Sequence, residues 1–452
     1  MESEASLAMP LPGCSPQALR HFTVLATYGI VALELLFWIP TPATLVGVVA
    51  GLALYLLAYR RIEYLDPLVA FSVPWVVILI FSVTPMSEYA EPVSPATYRL
   101  ILFTLLTALF ASGQRFSRTQ RITVWQKARP SMITPGFAIL LIDLAFLFLT
   151  VLNIAIAGYI PLIRGILTGD TGYLDFGVHG LYGFYLAFSN ALGIFHLVLY
   201  FRTGRRWHLC IYFSLFVLFI LFITRQNLLS LGVEGVIVYS LMRKRFSLKK
   251  IVLWMALAGV MFSVIGSFRS GNIKTLAKIK PEYAWVPDPV IWLYSYSYFN
   301  VANVNNLVLY SDAPFYDGSS LSQLVPSFLR PSYEDRGSYL EVEIFNVSSF
   351  LYPVYSDMGT LGVVVLTSLA VFSTYRLRKA IYQEASLFRI GAFSTLYFCA
   401  AFSFFVNFWF YLPIIFQVVF FKLFSNLTER VAEAGAAEHH RGLPSGTESA
   451  IH

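Results

Sequence analysis

Apolar runs of the length that crosses a bilayer, about 20 residues, follow one another along most of the chain, with short polar turns between them. The pattern predicts spanning helices near 22–39, 42–59, 67–85, 96–113, 136–157, 179–201, 208–224, 226–242, 251–267, 357–375, 387–405 and 408–425, about twelve in all. The organisation expected is a cytoplasmic segment 1–21, nine spans within 22–267, one large loop 268–356, three spans within 357–425, and a polar, disordered tail 426–452. Inside the large loop, 289–310 is moderately apolar but dotted with Ser, Tyr and Asn, which is too polar for lipid and predicts an interfacial or re-entrant helix. No repeat, heptad run or low-complexity tract interrupts this pattern.

Composition confirms the solvent. Hydrophobic residues make up 57% of the 452 and charged residues 13%, with mean hydropathy +0.66; a soluble domain carries about 25% charge, so the fold class expected is an all-α polytopic integral membrane protein. Charge then sets orientation, because lysine and arginine concentrate in cytoplasmic loops. Arg60 and Arg61, the five cations of 114–135, Arg202, Arg205 and Arg206, the five of 243–250, and Arg376, Arg378 and Lys379 fall in alternate loops. The intervening turns are almost free of cations. Both termini are therefore expected in the cytoplasm and the large loop outside. The net charge of +7 lies mostly in these loops, so no nucleic-acid partner is implied. The three cysteines, Cys14, Cys210 and Cys399, are far apart and give neither a disulfide framework nor a zinc spacing. No cleaved signal peptide is read at the N-terminus.

Against that charge pattern Arg225, in "FITRQNLL", stands out: it sits at the tip of an outer hairpin. Arg269, in "VIGSFRSGN", ends the ninth span on the same side. A pair of guanidiniums there suits a phosphate, because the planar fork bonds it bidentately and stays charged; the alternative is a side chain snorkelling to the interface. Arg164, Arg330 and Arg336 lie in outer loops and join the candidates. Glu234, nine residues past Arg225 and so about 13 Å deeper, and Asp143 are intramembrane acids, each a proton-relay carboxyl or hydrogen-bonded packing.

The densest polar cluster leads into a late span, "GSYLEVEIFNVSSFLYPVYSDMGTLGVVV" at 337–365. Asp357 reads as a general base or as an N-cap. His179 is the histidine expected at an outer span end and reads as a second possible base or as a plain interface histidine. Glu343 reads as a third candidate base or as part of a solvated loop face, and Asn346 is a candidate substrate ligand. Trp285, Trp292, Tyr294, Tyr296 and Tyr298 suit either sugar stacking or an interfacial aromatic belt. Nucleotide-binding loops, metal motifs and hydrolase triads are absent from the sequence.

Together "GYIPLIRG", "FGVHGLYG", "TRQNLL", "GSFRSG" and "FNVSSFLYPVYSDMGTLGV" resemble the Wzy-type O-antigen polymerases, the oligosaccharide repeat unit polymerases of bacterial envelopes. The likeness covers about 150–375; Met358 stands where that family commonly has an aromatic. It implies a GT-C-like membrane glycosyltransferase of the bacterial inner membrane, acting at the periplasmic face without nucleotide sugar, metal or other cofactor. Its substrate would be an undecaprenyl-diphosphate-linked oligosaccharide within the lipid bilayer, and a chain-length regulator protein would be a partner, in O-antigen, capsule or exopolysaccharide biosynthesis. Arg225 and Arg269, helped by Arg164, Arg330 and Arg336, would stabilise the leaving diphosphate; Asp357, His179 and Glu343 would compete for the role of base, with Asn346 and Tyr298 on the glycan. An O-antigen ligase shares the donor but usually places a histidine in its large late loop, and 268–356 has none. A lipid-linked oligosaccharide flippase would favour paired halves and broken helices, and neither is visible.

Overall fold

A computed structural model of the chain describes residues 65–112, 136–178, 180–243, 259–267, 271–326, 329–330 and 348–441, with side chains as far as 428. The spans expected at 22–39 and 42–59 and the first half of that at 251–267 lie outside the described residues. The rest is helical, with no strand among the described residues. The helices are α1 (Pro67–Ser82), α2 (Pro95–Ala111), α3 (Gly136–Ala157), α4 (Pro161–Thr168), α5 (Tyr182–Thr203), α6 (Trp207–Leu221), α7 (Arg225–Met242), α8 (Asp288–Tyr310), α9 (Leu351–Gln383), α10 (Leu387–Ala401) and α11 (Leu412–Arg441), besides a helical stretch 259–267. Three stretches are long and apolar enough to cross a membrane: Gly136–Thr168, Tyr182–Thr203 and Leu351–Gln383; α1, α2, α6, α10 and Leu412–Thr428 are shorter apolar helices. Leu140, Leu141, Leu144, Leu147, Phe148 and Val151 of α3 are all exposed, a surface that only an apolar solvent tolerates.

Two packed groups make up the core. In one, α5 is the hub against α3, α6, α7 and α11, and Leu192, Ile194, Phe195 and Val198 are buried there. In the other, α1, α2 and α9 close around Trp75, Phe350 and Val354. Helix α10 packs on α1, α7, α9 and α11 and so joins the two. Gly391 of α10 allows a close contact between helices: a Cβ there would lie 2.5 Å from the Phe421 ring of α11.

Two sequence expectations change in detail. The late span begins at Leu351 rather than 357 and is interrupted at Gly359, whose φ of +62° and ψ of −156° leave the helical region; a side chain is strained at that φ, and a Cβ would also press within 3.2 Å of Pro314. Helix α11 continues to Arg441, into the tail read as disordered. The stretch "VAEAGAAE" is built of strong helix formers, which explains the continuation. Segment 289–310 is one continuous helix, α8, and its bonds explain its polarity. The Ser87 N–H donates to the Tyr294 hydroxyl (3.3 Å), the Tyr298 hydroxyl donates to the Glu91 carbonyl (2.5 Å), and Asn305 Oδ1 accepts from the Ser94 N–H (2.7 Å) and the Thr97 hydroxyl (3.0 Å). The helix therefore follows the connection from α1 to α2, lying across that end of the bundle with its polar groups turned inward.

At the opposite end Asp66 ties α1 to α9. Its carboxylate caps α1 through the Leu68 N–H (2.9 Å), accepts from Arg378 Nη1 (3.1 Å) and from the Tyr375 hydroxyl, and is buried with Arg378. Removing one partner of a buried pair costs about 3–5 kcal/mol. Asp66→Ala should therefore lower the thermal unfolding midpoint in detergent clearly. Glu384→Ala, which breaks an exposed pair with Arg389, should cost under about 1 kcal/mol.

Candidate functional site

The α6–α7 hairpin turns through a residue that resists the turn. Ile223 has φ +56°, an outlier for a β-branched side chain, and it is held there by burial and by bonds from its own N–H to the Ile220 carbonyl and from the Thr224 N–H to the Phe219 carbonyl. Such strain, about 1–3 kcal/mol, persists where neighbours over-determine it and clusters at functional sites. It places Arg225 as the first residue of α7, where Thr224 supplies no side-chain cap and the helix dipole is positive.

The guanidinium of Arg225 lies over two rings, 5.1 Å from the centre of Phe262 and 5.6 Å from Trp292. These rings shield it without neutralising it. Arg225 Nη1 and the indole N–H of Trp292 are both buried with no acceptor among the described residues. Gly266 makes the cage possible: a Cβ there would lie 2.8 Å from Trp292 and 3.0 Å from Arg225 Nη1. Two buried donors side by side, one cationic, form a site short of an acceptor.

Beside the cage a small cavity enters the bundle between α5, α7 and α11, lined by Asn190, Gln226, Asn227, Ser230, Tyr411 and Gln417 among others. All six are neutral hydrogen-bonding side chains. Gln226 bonds the Tyr411 hydroxyl, and Asn190 Oδ1 is buried without a donor among the described residues. Below lies Glu234, fully buried, accepting from Ser230 (2.7 Å), Thr395 (3.0 Å) and Gln417 (2.7 Å). Gln226, Ser230 and Glu234 are four residues apart and share one face of α7.

The other expected residues fall into different settings. Arg330 is exposed near Tyr411, so it reaches the same end as Arg225, but its Nε and Nη2 donate to the carbonyls of Ser322 (3.0 Å) and Val325 (3.3 Å). Arg164 is held in its own loop by Asp170 (2.6 Å) and lies 4.5 Å over Tyr159. Tyr298 is buried and stacked on Tyr294, with its hydroxyl on Glu91; it presents no open face for a sugar. Of the five aromatics, Trp285 is widely exposed, while Trp292, Tyr294 and Tyr298 are core. Asp357 is neither an N-cap nor open: its carboxylate accepts from the Gly318 N–H (2.9 Å), the Ser320 N–H (3.3 Å) and the Ser320 hydroxyl (2.5 Å), and is buried. It anchors the 316–320 turn, which leads into the short helical turn Ser319–Leu324 beside Phe408–Phe410. Arg269, Arg336, His179, Glu343 and Asn346 lie outside the described residues. The chain just before His179 reaches the hairpin through the Phe176 ring, 4.6 Å from Phe222, and α3 through the Val178 N–H, which donates to Asn153 Oδ1 (2.9 Å).

Phe262, Trp292, Gln226, Asn190, Gln417 and Tyr411 were not selected from the sequence as parts of one anion site. The spacing of Gln226, Ser230 and Glu234 was the available signal for the α7 stripe; nothing in sequence links α7 to Tyr411 or Gln417. No family model matches the chain, and neither the curated proteins nor the solved structures contain a match.

Bonds to a carboxylate are worth about 1.5–3 kcal/mol each. Asp357→Ala should therefore free the 316–320 turn, and amide exchange at Gly318 and Ser320, followed by mass spectrometry, should rise about tenfold or more.

Proposed function

We propose that the protein is a membrane glycosyltransferase that polymerises lipid-diphosphate-linked oligosaccharide repeat units at the periplasmic face of a bacterial inner membrane. One observation carries the proposal: a caged arginine at an uncapped helix terminus, with two buried donors lacking acceptors among the described residues. An anion with several oxygens completes the donors.

The step balances without a metal. The acceptor hydroxyl loses its proton to a base, its oxygen bonds to the anomeric carbon of the donor, and the bond from that carbon to the diphosphate oxygen breaks. The electron pair leaves with the diphosphate. Arg225 Nη1 and the Trp292 N–H bond the charge that grows there, in a setting where the aromatic walls exclude water and strengthen each bond. Arg269 is the second guanidinium of this anion site, and Arg330 flanks it. His179 and Glu343 are the candidate bases, with His179 favoured by the contact of its flanking residues with the hairpin tip. Asp357, with its oxygens committed to the 316–320 turn, is assigned to positioning, and Asn346 and Arg336 to the glycan side.

The test is elongation in vitro. Purified protein in lipid vesicles, given undecaprenyl-diphosphate-linked repeat units without nucleotide or metal, should lengthen them. Arg225→Ala should lower the rate at least about 100-fold, the scale of losing a preorganised oxyanion donor. Arg225→Lys should recover only part of it, because an ammonium lacks the planar fork. No elongation by the wild-type protein would sink the proposal. Transfer only to a lipid A core would identify a ligase, and movement of the lipid between leaflets without bond formation a flippase.

A further inference from the structure

One chain of titratable groups lies apart from this site. Asp143 of α3, His196 of α5 and His208 of α6 are joined in line: His196 Nε2 is 2.9 Å from Asp143 Oδ1, and His196 Nδ1 is 2.8 Å from His208 Nδ1. Both imidazoles are buried, and the Asp143 side chain is about a quarter exposed, at 24%. Trp207, itself exposed, packs on the far side, its ring centre 3.7 Å from that of His208. The cluster lies toward the end of the bundle that carries the α5–α6 turn with Arg205 and Arg206, away from Arg225.

We propose that these three residues form a proton relay that takes up one proton at His208 and delivers one to Asp143, and that its occupancy sets how firmly α3 docks on α5. The proton count follows from the two bonds. A bond between two Nδ1 atoms holds one proton, because two N–H groups facing each other repel and two bare nitrogens do not bond. With two protons in the chain, His208 Nδ1–H donates to bare His196 Nδ1, His196 Nε2–H donates to the Asp143 carboxylate, and the net charge is −1. A third proton enters at His208 Nε2. The His208 Nδ1 proton then crosses to His196 Nδ1, and the His196 Nε2 proton crosses to Asp143. Asp143 is now a neutral acid donating to bare His196 Nε2, and the net charge is zero. Only N–H and O–H bonds are made or broken, and each ring ends in its other tautomer.

Among the described residues, the neighbouring charged and titratable groups have partners of their own. Arg205, in the exposed turn, is the cation that acts on His208. Arg202 of α5 donates to the Ala385 carbonyl (2.9 Å), and Tyr212, one turn past His208, donates to the Leu231 carbonyl (3.1 Å). On α7, Glu234 is held by its three donors, and on α11 Lys422 lies over the Phe388 ring. The consequence for α3 follows from how little of it is buried. Ile139, Ile142, Thr150 and Asn153 are its buried residues, and its polar ties to α5 include Asp143–His196 and the Thr150–Tyr185 hydroxyl pair (3.0 Å). A charge-assisted bond is roughly twice as strong as a neutral one, so uptake of the proton weakens one of those two ties.

The experiment uses the full-length protein in phosphatidylglycerol–phosphatidylcholine nanodiscs with ring-15N histidine, the two signals being assigned against His208→Asn. In the wild type both imidazoles should exchange tautomers in one common step as the pH falls. Across that step, hydrogen exchange of α3 residues 139–150, corrected for its intrinsic pH dependence, should rise about tenfold, the scale of 1.4 kcal/mol. Asp143→Asn keeps the acceptor for His196 and so preserves the fold, but its amide takes no proton. In that variant the two rings should titrate separately and α3 exchange should no longer follow pH. Separate steps in the wild type, or an Asp143→Asn variant indistinguishable from it, would overturn the relay. Polymer elongation enters neither readout, so the outcome is independent of the glycosyltransferase proposal.

Discussion

Glu234 has both carboxyl oxygens occupied by side chains from three helices: Ser230 on its own α7, Thr395 on α10 and Gln417 on α11. A carboxyl with no solvent contact, among apolar helices, has to find its partners inside the protein. Meeting that demand fixes the rotation of α7, because only one face of the helix carries Gln226, Ser230 and Glu234 together. Once that face is turned toward α11, Gln226 meets Tyr411 and lines the cavity with Asn190. Arg225, one residue earlier, is then turned toward Phe262 and Trp292. The location of the arginine cage is thus a consequence of how a buried acid nine residues away is satisfied.

Three satisfied acids tie the scaffold together. Asp66, Glu234 and Asp357 each accept from several donors, and each joins segments distant in sequence: α1 to α9, α7 to α10 and α11, α9 to the 316–320 turn. Arg225 Nη1, Trp292 Nε1 and Asn190 Oδ1 are buried without partners among the described residues and gather at one end. Buried polar groups are rarely left unpaired.

Helix α8 shows how polarity and burial are reconciled. Its serines, tyrosines and asparagines exclude it from lipid as an isolated segment. Laid along the α1–α2 connection, Tyr294, Tyr298 and Asn305 bond backbone groups of that connection at Ser87, Glu91 and Ser94. Trp292 near its N-terminus meanwhile forms one wall of the arginine cage. One helix therefore seals the bundle end and shapes the site, which is why most of its aromatics are core rather than an open stacking surface.

The sequence by itself determined the solvent and the elements. Apolar runs of spanning length dictate helices because a backbone without water must bond within its own segment, and the limits of α3, α7 and α10 agree with those runs to within a few residues. It also singled out Arg225, since a cation in an outer turn violates the charge pattern, and it marked Glu234 and Asp143 as costly. What it left open is partnership. The Asp357 carboxylate is met by Gly318 and Ser320, nearly forty residues before it in the chain, and Asp143 by His196, which in turn meets His208. Hydropathy measures each residue against a solvent, whereas a hydrogen bond depends on which helix faces which. That choice is made by side-chain fit between helices, such as Gly391 against Phe421 and Gly266 against Trp292, and only the tertiary structure records it.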